Sequence, residues 1–424
     1  MGAPRIIVSG STVAISRRAV MRKAFLGAWD ARVEQAWLYA LADAQRVHDV
    51  AVHHGVRCVS HHHVEVTAAG ANLPEFLHRF HRDVSCALNT LLAMERYDSP
   101  RTLFDGRQAH VMQLVDDSAQ LRHLLYSHLN PVAAGLVAKP EQMPGRTLGF
   151  DDWLGDGVVV KRPEFYFGKN RPEELRLKLT PPLRLLASFG GDVKTLVYHL
   201  RRLTDDGCRA LRAARTRPVM GAEALRRMHP WAEPKTLAES GGKRVPSFKV
   251  GALGDEGRDR RRRCAQEVTA FRSRYRETRR CRLQGEDAVF PHGSYGPRAY
   301  YAAPVEPEAT PDAILTLDGP RSLEEALGDL EAPTRERRNE LLDAAREAQR
   351  GEAAEQLLEE QLDFEPGAPF HGHAPAEGER MPAETRHRFA RHRDVTDNDP
   401  HARRLVIERD RRLGRPPGDT GPPR

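Results

Sequence analysis

Residues 50–68, VAVHHGVRCVSHHHVEVTA, contain two stretches of period-two alternation separated by one short break. Side chains on a strand alternate faces, so 50–59 and 61–68 read as neighbouring strands. Helical spacing flanks them. Val33, Trp37, Leu41 and Ala44 recur at helical intervals within 28–48, and Leu73, Phe76, Leu77, Phe80, Val84, Leu88 and Leu91 do so within 73–94. IIVSGSTVAIS (6–16), with Gly10 permitting a bend, and HVMQLVD (110–116) supply two more strands. SAQLRHLLYSHLNP (118–131) reads as a helix stopped by its Asn-Pro. The order β-α-β-β-α-β-α predicts an α+β domain with a ferredoxin-like antiparallel sheet and one extra helix.

Charge divides the chain further. Residues 1–300 carry 48 Lys and Arg against 32 Asp and Glu, whereas 301–424 carry 18 against 27. A basic body with an acidic end suits a polyanionic partner. Residues 146–304 read as a basic, mainly helical accessory region. Its stretch 258–284, RDRRRRCAQEVTAFRSRYRETRRCRLQ, forms a cationic helix with a thin stripe of Val268, Phe271 and Tyr275. Arg260, Arg261, Arg262, Arg272, Arg274, Arg279 and Arg280 are its candidate contacts to a phosphate backbone; a merely solvated cationic face has the same pattern. Residues 305–424 read as an acidic, low-complexity tail, partly helical and largely disordered. The five cysteines form no CxxC pair, which argues for reduced thiols and against a zinc ribbon or disulfide scaffold. With no membrane-length apolar run and no signal-peptide pattern, a cytoplasmic location without membrane contact is expected.

The histidine run holds the candidate chemistry. On a strand His61 and His63 share one face and His62 takes the other. Two imidazoles in this relation can hold one divalent cation. Tyr126 and Asn130, four apart, share a face of the following helix. An amide oxygen is a reasonable ligand for a hard cation, and a phenol one turn away a reasonable nucleophile. The residues alone also allow a plain packed helix with Tyr126 at its edge.

DVAVHHGVRCVSHHHVEVTA, LPEFLHRFHRDVSCALN and LLYSHLNPVAAGLVAKPEQMPG together resemble the single-tyrosine HUH transposases, in particular the REP-associated tyrosine transposases and related bacterial insertion-sequence transposases. VKRPEFYF (160–167) and AVFPHGSY (288–295) look like the accessory region of a subgroup, and the resemblance spans about residues 5–300. It implies a catalytic domain over 1–145 with His61, His63 and Asn130 as metal ligands and Tyr126 as nucleophile. It also implies Mg²⁺ or Mn²⁺, single-stranded or hairpin DNA as substrate, a 5′-phosphotyrosine intermediate, association with the bacterial nucleoid, and a site built by one chain or by a homodimer. The sequence departs from the pattern at Ser60, where asparagine is usual, and at His62 and Glu65, where apolar residues are usual; Glu65 becomes a candidate auxiliary ligand.

Other classes fit less well. His63-Val64-Glu65 matches half of a zinc-deaminase signature, but the required P-C-x-x-C is absent, as is a G-x-S-x-G elbow. A hairpin-DNA-binding protein that has lost cleavage and a metal phosphoesterase without a covalent step remain the competing expectations.

Overall fold

A computed structural model describes residues 3–106, 108–232 and 246–360. Strand β1 (Thr12–Arg18) follows a turn at Gly10, whose φ of +69° and contact with the Gly319 backbone leave no room for a Cβ. The strand expected over 6–16 therefore starts after this turn and runs to Arg18; Ile6 makes only an isolated bridge to Ser294. Helix α1 (Ala31–His48) is capped by Asp30, which accepts from the Arg32 amide at 2.7 Å, and ends at Asp49 in the left-handed region. Strands β2 (Val50–Arg57) and β3 (His61–Ala68) form the hairpin, and α2 (Leu73–Met94) buries its whole predicted stripe.

Strand β4 (His110–Leu114) leads to α3 (Asp117–Ala133), where Asp116 caps the start by accepting from the Ala119 amide at 2.7 Å. The stop expected at Asn130-Pro131 falls later. Proline deprives only the Ser127 carbonyl of its i+4 donor, and the Ala134 amide still bonds to the Asn130 carbonyl at 2.9 Å, so the last turn survives.

Beyond this point the chain adds β5 (Val158–Lys161), β6 (Glu174–Leu177), α4 (Leu183–Ala187), α5 (Val193–Ala214), α6 (Ala222–Arg226), β7 (Phe248–Lys249), α7 (Gly254–Leu283), α8 (Tyr295–Tyr301), α9 (Leu323–Gly328) and α10 (Thr334–Glu360). The fold is α+β. Its main sheet has the order β2-β3-β1-β4-β7, antiparallel except for the parallel β4–β7 pair, and β5–β6 form a separate hairpin. Helices α1 and α2 cover one face and α3 the other.

The region after residue 305, expected as a tail, packs through Leu315, Ala326, Leu341, Leu342 and Ala345. Arg337 of α10 donates to Asp117 at the start of α3 at 2.8 Å, and Ser188 donates to the same carboxylate at 2.6 Å. Glu267 of α7 accepts from the amides of Ile314, Leu315 and Thr316 at 2.7–2.9 Å, pinning the intervening loop. The disorder expected after residue 360 lies outside the described residues.

Between α1 and α2, two fully buried carboxylates, Asp43 and Asp83, share the guanidinium of Arg171 at 3.2 and 2.5 Å. Arg46 and Arg79 complete the shell of Asp43. Burial works to raise the Asp43 pKa, but the hydrogen bonds from Arg46 and Arg79 outweigh it and hold the group below the usual carboxylate range. The loop 162–173 is thereby tied to both helices. Arg171→Met leaves two buried charges short of a cation and should lower unfolding stability by about 3 kcal/mol; urea denaturation at neutral pH measures it.

Candidate functional site

Register places the histidines. His63 lies opposite Ser16 and His61 opposite Arg18 across the β1–β3 ladder. The rings of His61 and His63 stand edge to face, 5.0 Å apart between centroids, on the face that α3 covers. His62 points the other way into the core, where Trp37 Nε1 donates to its Nδ1 at 3.2 Å and its Nε2 lies 3.2 Å from His81 Nε2. That environment answers what a third imidazole does in a strand: its ring nitrogens are both hydrogen-bonded, and the ring packs against Phe80 and His81.

Helix α3 brings the second half. The Asn130 Oδ1 lies 3.2 Å from His61 Nε2 and accepts from the Cys58 thiol at 3.1 Å. The half-buried Tyr126 ring stands edge to face with His63 at 5.9 Å and 5.5 Å from His123. The expected ligands His61, His63 and Asn130 and the expected nucleophile Tyr126 thus gather at one end of β3. Glu65 is completely buried two residues further on. Its Oε1 accepts from His123 Nδ1 at 2.7 Å and from Ser127 Oγ at 3.2 Å, and its Oε2 has no hydrogen-bond partner among the described residues. Ser127 continues to His54 at 3.3 Å, and His54 Nε2 to His128 at 3.2 Å.

Sequence reasoning missed His123, Ser127 and Cys58. The first two were readable, since His123, Tyr126, Ser127 and Asn130 follow i, i+3, i+4, i+7 spacing on one helix face. Cys58 carried no such signal.

Burial first, then the charge of Arg18, holds the His61 pKa down at about 4, against the opposing bond from Asn130. Burial, followed by the neighbouring His61, His123, His62 and His54, pushes His63 well below its ordinary value. Both rings are neutral at physiological pH, the state in which imidazole ligates metals. The His63 Nε2 atom is buried and has no hydrogen-bond partner among the described residues. Among the described residues no three His, Cys, Asp or Glu side chains converge as a ready ligand cluster; the set that fits an ion is two imidazoles and one amide oxygen.

The predicted basic helix is more compensated than its sequence suggests. Arg262 pairs with Asp259, Arg274 with Glu306, and Arg280 with Glu277 at 2.6 Å. Arg260 is half-buried, 3.8 Å from Asp116, Glu256 and Glu331, and Arg261 donates to the Ala252 carbonyl. Arg272 is half-buried, and Arg279 is exposed with no ion pair among the described residues.

No protein-family model and no curated protein matches this chain. Among solved structures, one of a REP-associated tyrosine transposase bound to a REP hairpin is similar, with a TM-score of 0.30 and 14% identity over 41% of this chain and 94% of that one. No described helix is long and apolar enough to cross a membrane.

The buried histidines set the acid limit of the fold. Burial lowers His53 and His128 to about 4 despite a bond to the Thr180 carbonyl in the first case and the charge of Asp151 in the second. An unfolded histidine titrates near ~6.5. Their folded pKa values are depressed, so the stability they contribute is complete above pH ~6.5 and is lost as pH falls towards 4. Denaturation midpoints should stay flat above neutrality and fall through this window, by about 1.4 kcal/mol per pH unit for each ring; His128→Asn should flatten the slope.

Proposed function

We propose that this chain is a metal-assisted DNA strand transferase of the single-tyrosine HUH type, with the four strands β2-β3-β1-β4 serving as a ferredoxin-like core. The observation that carries the reading is the meeting of a Tyr126 ring with two neutral imidazoles and an amide oxygen at one sheet end. Beside them the buried His63 Nε2 has no hydrogen-bond partner among the described residues, and a buried polar atom without a partner is costly.

In this reading His61, His63 and Asn130 hold one Mg²⁺ or Mn²⁺, and the cation, when bound, draws charge from a non-bridging phosphate oxygen. Imidazoles favour Mn²⁺ in affinity and availability favours Mg²⁺. The Tyr126 hydroxyl attacks phosphorus in line, and the bond from phosphorus to the 3′ oxygen breaks. The phenol gives up its proton and the departing 3′ oxygen gains one. The 5′-phosphotyrosine keeps the bond energy, so another strand's 3′ hydroxyl can reverse the step without an external energy source. Single-stranded DNA, commonly next to a hairpin, is the substrate that can bend into such a site. Arg279 and the other exposed arginines of α7 supply backbone contact, giving salt-sensitive binding.

Labelled single-stranded hairpin DNA incubated with the protein and Mn²⁺ should give a covalent adduct on a denaturing gel. The adduct should vanish in Tyr126→Phe, with chelator, and in His61→Ala. Persistence in Tyr126→Phe would refute the nucleophile. Tight hairpin binding that ignores chelator and His61→Ala, with no adduct, would identify a binding protein without cleavage.

A further inference from the structure

Arg18 is the last residue of β1 and pairs directly with His61. Residues directly opposite in an antiparallel ladder project to the same face with Cβ atoms about 5 Å apart, so the Arg18 stem rises beside the candidate metal ligand. The side chain is exposed and has no hydrogen bond or ion pair among the described residues. Its setting contrasts with Arg171 or Arg337, whose guanidinium groups are held by carboxylates. The charge of Arg18 is felt at two imidazoles on this face, His61 and His110, the latter held beside β1 by the Ser16–His110 pairing. A second cation, Arg22, also acts on His61. It sits in the turn that follows β1, where Met21 and Arg22 have φ of 52° and 53°. Two successive non-glycine residues in the left-handed region are strained, and such strain clusters at functional sites.

A guanidinium beside a dication site is unfavourable by itself. The two positive groups become mutually favourable only when an anion lies between them. We propose that Arg18, standing beside His61, grips the non-bridging oxygens of the phosphate that Tyr126 attacks, with Arg22 adding charge from the strained turn. A planar fork of N–H donors suits two phosphate oxygens, and a lysine at the same place would supply charge without the fork. The proposal rests on the strand-transfer reading.

The test first maps the cleaved linkage from the wild-type adduct. Binding of that oligonucleotide, with either its natural phosphodiester or an uncharged methylphosphonate at the mapped linkage, is then measured with Mn²⁺ in a Tyr126→Phe background with Arg18 intact or changed to Gln. Arg18→Gln should weaken binding of the natural strand at least about tenfold and leave methylphosphonate binding nearly unchanged. In the Tyr126-intact protein Arg18→Gln should slow adduct formation about a hundredfold, with Arg18→Lys recovering part of the rate. Mn²⁺ alone should bind the Arg18→Gln protein at least as tightly as wild type, because a repelling charge has gone. Equal losses on both oligonucleotides, no loss on either, or a collapse of Mn²⁺ binding would each overturn the assignment. If the wild type forms no adduct, the strand-transfer reading falls and this proposal with it; an adduct unaffected by Arg18→Gln overturns the proposal alone.

Discussion

The carboxyl group of Glu65 fixes where the rest of the site can be. It is fully buried on β3, and one of its oxygens receives both His123 and Ser127 of α3. A buried polar group left without its donors costs more than the bonds yield in water, so the helix has one favourable rotation over the strand. Asp117, held by Ser188 and Arg337, anchors the helix start, and Asn130, met by Cys58 and His61, anchors its end. A slip of one residue would turn α3 by about 100° and carry Tyr126 away from His63. Glu65 is therefore a fastening between strand and helix in this chain.

The same strand separates two kinds of histidine chemistry by alternation. His62 is satisfied within the core by Trp37 and His81, while His61 and His63 stay neutral through burial, His61 beside Asn130 and Ser60 and His63 with a buried Nε2 that has no hydrogen-bond partner among the described residues. His53, His54 and His128 lie on the neighbouring strand and helix and form their own hydrogen bonds. So many buried neutral rings make the fold sensitive to acid, the other side of keeping the candidate ligands unprotonated at neutral pH.

Local periodicity revealed much of this. The stripe of α2 was legible residue by residue, because each apolar side chain repeats at the helical interval, and the facing of His61, His62 and His63 followed from strand geometry alone. The pairing of Arg262 with Asp259 and of Arg280 with Glu277 was also open to reading, since both are i, i+3 partners. The place of Arg18 was not, because cross-strand register depends on the Gly10 turn and on pairing with a segment more than 40 residues away. Nor was the docking of the acidic α10, which buries Leu341, Leu342 and Ala345 out of a strongly charged sequence. Pro131 misled because a proline in a last helical turn removes only one intrahelical bond.

The most direct measurement is anomalous diffraction from crystals of the protein soaked in Mn²⁺. The account predicts one strong manganese peak within about 2.0–2.4 Å of His61 Nε2, His63 Nε2 and Asn130 Oδ1, with the Tyr126 hydroxyl facing the open side of the ion. A manganese-free pocket at saturating Mn²⁺, or a peak held by other side chains with Tyr126 turned away, would contradict it.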